Sequence, residues 1–209
     1  ITRMERDLLL VGTTGVEDKL RDGVARTLET LKSAGIRVWL LTGDKIETAI
    51  AIGHACGLVP HGASMAILQS KSEFCDFACS LPPSQVSAIV LSSSAIEYLL
   101  EADVTTQEAF LKVAVLCDTV ICCRCSPLQK TRLVQMMQSH TAAVCLAIGD
   151  GSNDVGMIQA ANVGVGISSG KEGTQAARAA DFSIAEFKFL ARLLLVHGAW
   201  GCNRISRTV

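Results

Sequence analysis

The chain has 209 residues, 49% hydrophobic and 19% charged, with 19 Lys and Arg against 20 Asp and Glu for a net charge of −1. Low hydrophobicity and high net charge keep a chain disordered, so this one is expected to fold, and its length suits one sizeable domain. The near-neutral balance excludes a chain built to wrap nucleic acid or coat an anionic membrane, and 4% aromatic residues fit a base-stacking platform poorly.

In chain order, the apolar run Leu8–Gly12 predicts a buried strand. Asp22 can cap a helix whose apolar face is Val24, Leu28 and Leu31, and Gly35 ends it. Ile36–Leu41 predicts the next strand, which runs into Thr42-Gly43-Asp44. Lys45–Cys56 then reads as a helix with Ile46, Ala49 and Ile50 on one face, stopped by Gly57. The stretch 58–116 is expected to be a less regular insertion with surface excursions, because it holds Pro82-Pro83 and Ser92-Ser93-Ser94. Within it, Ala88–Leu91 predicts a strand, and Ala95–Leu100 and Glu108–Leu116 predict helices.

Thr119–Cys123 predicts a strand, and Pro127 suits the start of a helix that continues over Leu128–Gln138. Ala142–Ile148 predicts a strand emptying into Gly149-Asp150-Gly151. Asn153–Ala160 reads as helical, Val163–Ile167 as a short strand, and Glu186–Val196 as a closing helix. Trp39, inside a predicted strand, reads as core; Trp200 and His197 follow the last predicted helix and are expected to pack there or to lie near a membrane. No segment reaches the roughly 18 to 20 apolar residues of a membrane helix, although mean hydropathy is +0.37. Strands alternating with helices predict a doubly wound, mostly parallel α/β sheet covered on both faces, which also explains the high hydropathy.

The nine cysteines are odd in number and several lie in apolar runs, with no Asn-x-Ser/Thr sequon. Reduced cysteines of a cytosolic core fit better than a disulfide framework. Cys122 and Cys125 form a CxxC, but no second CxxC or HxxxH accompanies them, so buried structural thiols are favoured over a metal or redox pair.

In doubly wound folds ligands bind at the carboxyl ends of the strands. After the strand at 36–41, the Thr42 hydroxyl and the backbone of Gly43 and Asp44 suit a phosphoryl oxygen; a plain helix cap is the competing reading. After the strand at 142–148, GDGSND crowds Asp150, Asn153 and Asp154 at one strand end, oxygen ligands suited to a hard cation beside phosphate. After the strand at 119–123, Arg124 and Lys130 supply cations able to balance phosphate charge. Together these predict a magnesium-dependent phosphoryl-transfer site. Neither GxGxxG nor GxxxxGK[ST] opens a helix after a strand, which removes the glycine-rich nucleotide folds.

TGD at 42–44, Lys130 within SPLQK and GDGSNDVGMI at 149–158 resemble the haloacid-dehalogenase-like core of P-type ATPases. GVEDKL at 15–20, ICCRCSPLQK at 121–130, EGTQAARAADFSI at 172–184 and FLARLLLVHGAWGCNR at 189–204 narrow the resemblance to the phosphorylation domain of type IV P-type ATPases, the phospholipid flippases. The resemblance implies that Thr42 and Gly43 bind the transferring phosphoryl group, that Asp44 supports that loop near the nucleotide phosphates, and that Lys130 neutralises phosphoryl charge. It further implies that Arg124 reaches ATP, that Asp150 coordinates Mg2+, and that Asn153 and Asp154 support the phosphate and the metal shell. ATP as substrate, phospholipid as cargo, the remaining domains of the same chain and an optional accessory subunit are the implied partners, without nucleic acid.

One departure is decisive. The family's nucleophile is an Asp opening DKTGT, and that motif is absent from the sequence: Asp18-Lys19 is followed by Leu20-Arg21, and Asp44-Lys45 by Ile46-Glu47. The expectation is therefore a piece of a phosphorylation domain, core 8–57 and 117–197, lacking its first strand and inactive alone, with 198–209 a linker toward a membrane helix. Its place would be the cytosolic side of a multi-pass membrane protein. The alternatives are a non-catalytic flippase-like module of a signalling or scaffold protein, and a soluble phosphatase of the same fold. The phosphatase needs a DxD that Met4-Glu5-Arg6-Asp7 does not supply.

Overall fold

Helix α1 (Val24–Ser33) turns Thr27, Leu28 and Leu31 inward in the structure, a computed structural model that describes residues 9, 11–14, 19–79, 86–168 and 173–208. Its last turn closes when Gly35 N–H donates to the Lys32 carbonyl at 2.9 Å and Ile36 N–H to the Leu31 carbonyl at 3.0 Å, as the sequence led one to expect of Gly35. The start differs from expectation. Gly23, not Asp22, holds the cap position, and no side chain bonds the free amides there.

The chain then alternates strand and helix: β1 (Val38–Leu41), α2 (Ile46–Ala55), β2 (Met65–Leu68), α3 (Lys71–Cys79), β3 (Ala88–Leu91), α4 (Ser93–Glu101), α5 (Val104–Ala114), β4 (Thr119–Cys122) and α6 (Pro127–His140). It continues through β5 (Leu146–Gly149), a 3-10 turn Ser152–Asp154, α7 (Val155–Ala160), β6 (Val163–Ile167), α8 (Thr174–Ala179), β7 (Phe182–Ile184), α9 (Phe189–Arg192), a π-helical segment Leu193–Gly198 and α10 (Ala199–Ile205). All paired strands are parallel, in two groups ordered β1-β4-β3-β2 and β5-β6-β7. This is the doubly wound α/β architecture the alternation predicts.

Period-two alternation sends successive side chains to opposite faces. Ile89, Leu91, Val120 and Cys122 join α3–α6 in the largest core cluster, which holds Phe74, Ile96, Leu99, Phe110 and Leu133. Ala88, Val90, Ile121 and Cys123 point the other way, to Ala49 of α2 and Val59. The four residues of β3 and the four of β4 are all buried, as strands covered on both faces must be.

The two groups of strands are tied by shared helices. Leu28 of α1 packs with Val38 and Leu40 of β1, while Leu31, three residues along the same helix, packs with Leu146 and Ile148 of β5; Phe187 touches both clusters. On the far side, α6 buries Leu133 and Met136 in the large core beside Trp39 and Leu41 and sends Lys130 to Asp154, just beyond β5. The sheet is thus interrupted between β1 and β5. Among the described residues each pairs on one side only, and β1 is only half-buried along its length.

Several expectations need correction. Of the run read as a buried strand at 8–12, Leu9 and Val11 are 87% and 93% exposed and outside any regular element, because no neighbouring strand pairs with them; Leu8 and Leu10 lie outside the described residues. The stretch 58–116 is no irregular insertion: it supplies β2, α3, β3, α4 and α5 and much of the main core. Pro82 and Pro83 lie outside the described residues. Strand β5 starts at Leu146 rather than Ala142, and Val144 is exposed. The closing helix runs on through a π segment to Ile205, and Trp200 is 64% exposed within α10. Among the described residues no helix is long and apolar enough to cross a membrane.

Candidate functional site

The end of β1 is shaped by its neighbour β4. Thr42 N–H donates to the Cys122 carbonyl at 2.9 Å, Cys125 N–H donates to the Thr42 carbonyl at 2.9 Å, and Arg124 N–H donates to the Asp44 carbonyl at 3.0 Å. The two loops after β1 and β4 are therefore laced together by backbone bonds, and Arg124 accepts a left-handed φ of 51° to make the turn. Within the first loop, the Thr42 hydroxyl donates to the Asp44 carboxylate at 2.6 Å and accepts from Asp44 N–H at 3.1 Å. Asp44 and Thr42 thus hold each other in place. Gly43, Asp44 and the Arg124 side chain are exposed.

Past β4, Ser126 opens α6 with a reciprocal cap. Its hydroxyl accepts from Gln129 N–H at 3.3 Å while Ser126 N–H donates to Gln129 Oε1 at 2.9 Å, and Pro127 occupies the first helical position. Serine followed three residues later by glutamine was the readable signal for this box. It fixes the first turn and so the direction of Lys130, which is buried, 9% exposed. Its ammonium donates to Asp154 Oδ1 at 2.8 Å in an ion pair whose side chains are 11% and 13% exposed.

Past β5, the chain turns sharply. Asp154 Oδ2 accepts from Gly151 N–H at 3.3 Å, and Asp154 N–H donates to the Gly151 carbonyl at 3.1 Å. Residue 149 must be glycine, since a Cβ there would fall within 2.6 Å of Asp154 Cγ. Asp150 and Asn153 are exposed on this turn.

The structure thus joins Thr42 to Asp44 and Lys130 to Asp154, and links the first pair to the start of α6 through residues 122–125. Asp150, Asn153 and Arg124 lie on the same strand-end loops without a described side-chain bond. Cys122 and Cys125, side by side in the same core cluster, were not read from the sequence as part of this region. Burial pushes the Cys123 thiol up to about 11, with the charges of Cys125, Asp44 and Glu47 adding to it.

The donor chemistry fits magnesium. Asp150 and Asp154 are hard carboxylate donors on one turn, and magnesium beside phosphate needs only one or two protein carboxylates and keeps waters. No group of three or more His, Cys, Asp or Glu able to hold a metal occurs among the described residues.

Comparison with known proteins places the chain among two groups of sequences. Residues 3–82 and 130–185 match models of haloacid dehalogenase-like hydrolases, and residues 177–209 match the C-terminal region of phospholipid-translocating P-type ATPases. The chain is 46% identical over 97% of its length to the phospholipid-transporting ATPase DRS2 of Saccharomyces cerevisiae, covering 16% of that protein. It is 44% identical over 99% of its length to phospholipid-transporting ATPase 6 of Arabidopsis thaliana, covering 18% of it. With phospholipid-transporting ATPase VD of Macaca fascicularis, identity is 42% over 99% of the chain and 33% of that protein.

Proposed function

We propose a role for this chain on the premise that it belongs to the phospholipid-translocating P-type ATPases, with a haloacid-dehalogenase-like core: it contributes the phosphoryl- and magnesium-binding half of a site for aspartyl phosphorylation and dephosphorylation, which drives lipid movement at the expense of ATP. The observation that carries this reading is the interrupted sheet. Its two open edges, β1 and β5, are held by the same helices α1 and α6, and Thr42–Asp44, Lys130 and Asp150–Asp154 follow the strands around that gap. A parallel strand entering the gap would pair with both edges and bring a carboxylate nucleophile to the same end of the sheet.

The roles follow from the groups present. The Thr42 hydroxyl turns from Asp44 to a phosphoryl oxygen, while the Gly43 amide, unobstructed by a side chain, donates beside it. Lys130 has three N–H donors and spends one on Asp154, leaving two for phosphoryl oxygens. Asp150 and Asp154 would hold magnesium, which would supply positive charge where negative charge spreads over the phosphoryl oxygens. Asn153 supports this turn, and Arg124, exposed at the end of β4, reaches toward the nucleotide. Without DKTGT the chain alone has no nucleophile and turns over no ATP.

The test is to add a DKTGT-bearing segment, in trans or fused into one chain, and to measure beryllofluoride binding with magnesium. Binding that appears only with the added segment, and that Thr42→Ala or Lys130→Ala abolishes, is expected. A folded, completed domain that binds no beryllofluoride overturns the reading.

A further inference from the structure

Residues 122–125 carry chemistry that phosphoryl transfer does not use. Cys122 is fully buried at the end of β4, and Cys125 is 7% exposed in the loop beyond it. Cys123, between them in sequence, points to the opposite face of the sheet and packs in a different core cluster. Cys122 and Cys125 share one cluster, and both clasp the same residue: Thr42 N–H donates to the Cys122 carbonyl and Cys125 N–H donates to the Thr42 carbonyl, each at 2.9 Å. The strand's alternation therefore selects one pair from three neighbouring thiols.

The two members of the pair are unequal. Cys125 precedes Ser126, the N-cap of the 14-residue helix α6, whose first turn has no acidic residue. A helix N-terminus favours a thiolate. The neighbouring Cys122 thiol holds Cys125 below the usual thiol range, and the Lys130 charge acts in the same direction. Cys122 is driven the other way, by its Cys125 neighbour and by burial. One sulfur is ready to attack and its neighbour to resolve, with no described disulfide elsewhere to compete.

We propose that Cys122 and Cys125 are a peroxide-sensitive dithiol, oxidised reversibly to a disulfide that modifies the loop laced to Thr42–Asp44. In the first step the Cys125 thiolate attacks one oxygen of hydrogen peroxide. The O–O bond breaks, the sulfur becomes a sulfenic acid, and the departing hydroxide takes a proton to leave as water. In the second step the Cys122 sulfur attacks the Cys125 sulfur. The S–S bond forms, the S–O bond breaks, and the hydroxide leaves as a second water with the Cys122 proton. Two thiols have lost two electrons, and peroxide has gained them. A dithiol reductant reverses the change by exchange. The modification reaches the phosphoryl loop because the carbonyl of Cys122 and the amides of Arg124 and Cys125 hold Thr42 and Asp44 by three backbone hydrogen bonds.

Trypsin provides a direct readout, because Arg124 lies between the two cysteines in the sequence. The folded 209-residue chain is treated with hydrogen peroxide, its remaining thiols are alkylated, and it is digested without reductant. Peptides 113–124 and 125–130 should appear as one linked species, lighter by two hydrogens than the pair. Fragment ions should place the bridge at Cys122, and a dithiol should separate the peptides again. The link should survive Cys123→Ala and be lost in Cys122→Ala. Hydrogen exchange of the oxidised chain should be faster at Thr42, Arg124 and Cys125 than in the reduced chain. Alkylation of Cys125 as a free thiol, under conditions that oxidise the exposed Cys202, overturns the proposal. So does a bridge to Cys117 or Cys123 in the fragment ions of the unmutated chain, a reading that needs no variant to fold.

Discussion

The two parts of the interrupted sheet reach the same layered arrangement by different means. In the part built on β1–β4, side chains fill the space: Phe74, Ile89, Leu91, Ile96, Leu99, Phe110 and Val120 are all at or below 1% exposure. In the part built on β5–β7, backbones approach each other. A Cβ on Gly166 of β6 would fall 2.5 Å from Ala177 Cα and 2.6 Å from its nitrogen, so α8 lies directly on the strand. Exposure follows the same division, since β4 is buried throughout while β7 is exposed at Phe182 and Ser183. A core made of side chains is sensitive to what is removed; a core made of backbone contacts is sensitive to what is added. The turn Gly149–Asp154 is tight in a third way, since a Cβ on Gly149 would meet the Asp154 side chain.

Mutations can break or sharpen that contrast. The largest loss is expected for Phe74→Ala, which opens a cavity in the side-chain core and should lower unfolding free energy by about 3–5 kcal/mol in urea titration. Next is Lys130→Ala, which joins the two parts through its pair with Asp154. Leaving that carboxylate largely buried without its cation should cost about 3 kcal/mol, and adding Asp154→Asn should recover part of it in a double-mutant cycle. Gly166→Ala, a single added methyl, should cost about 1–3 kcal/mol by overpacking against backbone. A neutral result there would remove the distinction between the two parts. Ser126→Ala should cost about 1 kcal/mol by opening the cap of α6, measured by the same titration.

The smallest effect near neutral pH comes from Cys123. Its thiol is raised from 9.0 to about 11, so folding favours its protonated form. The associated stability is fully present below pH 9 and is lost as pH rises through 11, whereas Cys123→Ala should flatten that decline. Denaturation midpoints at pH 8 and near pH 10.5 would show it.

Much of the fold was legible where an apolar run coincided with a pairing partner. Ala88–Leu91 and the strand at 119 were read nearly to the residue, because strands covered on both faces leave a continuous apolar signature. Leu8–Gly12 carries the same signature, yet Leu9 and Val11 are exposed: hydrophobicity does not reveal whether a neighbour is there to pair. Strand β2 and helix α3 were missed for the opposite reason. Met65–Leu68 is an edge strand with Ile67 exposed, and α3 gains its start from Glu73, whose carboxylate accepts from Gln69 N–H at 2.7 Å and Ser70 N–H at 3.3 Å, rather than from an apolar stripe. Strand β7 has three residues and little burial, so nothing in Phe182–Ile184 announced it. At the site, residue types at strand ends pointed to Thr42, Asp44, Lys130, Asp150 and Asp154. The bonds that join them in pairs, and the thiol pair beneath, depend on how the loops after β1 and β4 lace together, which spacing along the chain does not encode.

The π-helical segment at 193–198 has a mechanical consequence. A wider turn changes the angular phase of every side chain beyond it, so the face that α9 sets with the buried Leu190 is not the face that α10 inherits. Ordinary winding over the same six residues would carry Trp200 and Ile205 roughly 100° further round the axis relative to Leu190. The segment therefore acts as a torsional offset, setting the direction in which the exposed Trp200 and Ile205 point independently of how the helix is anchored.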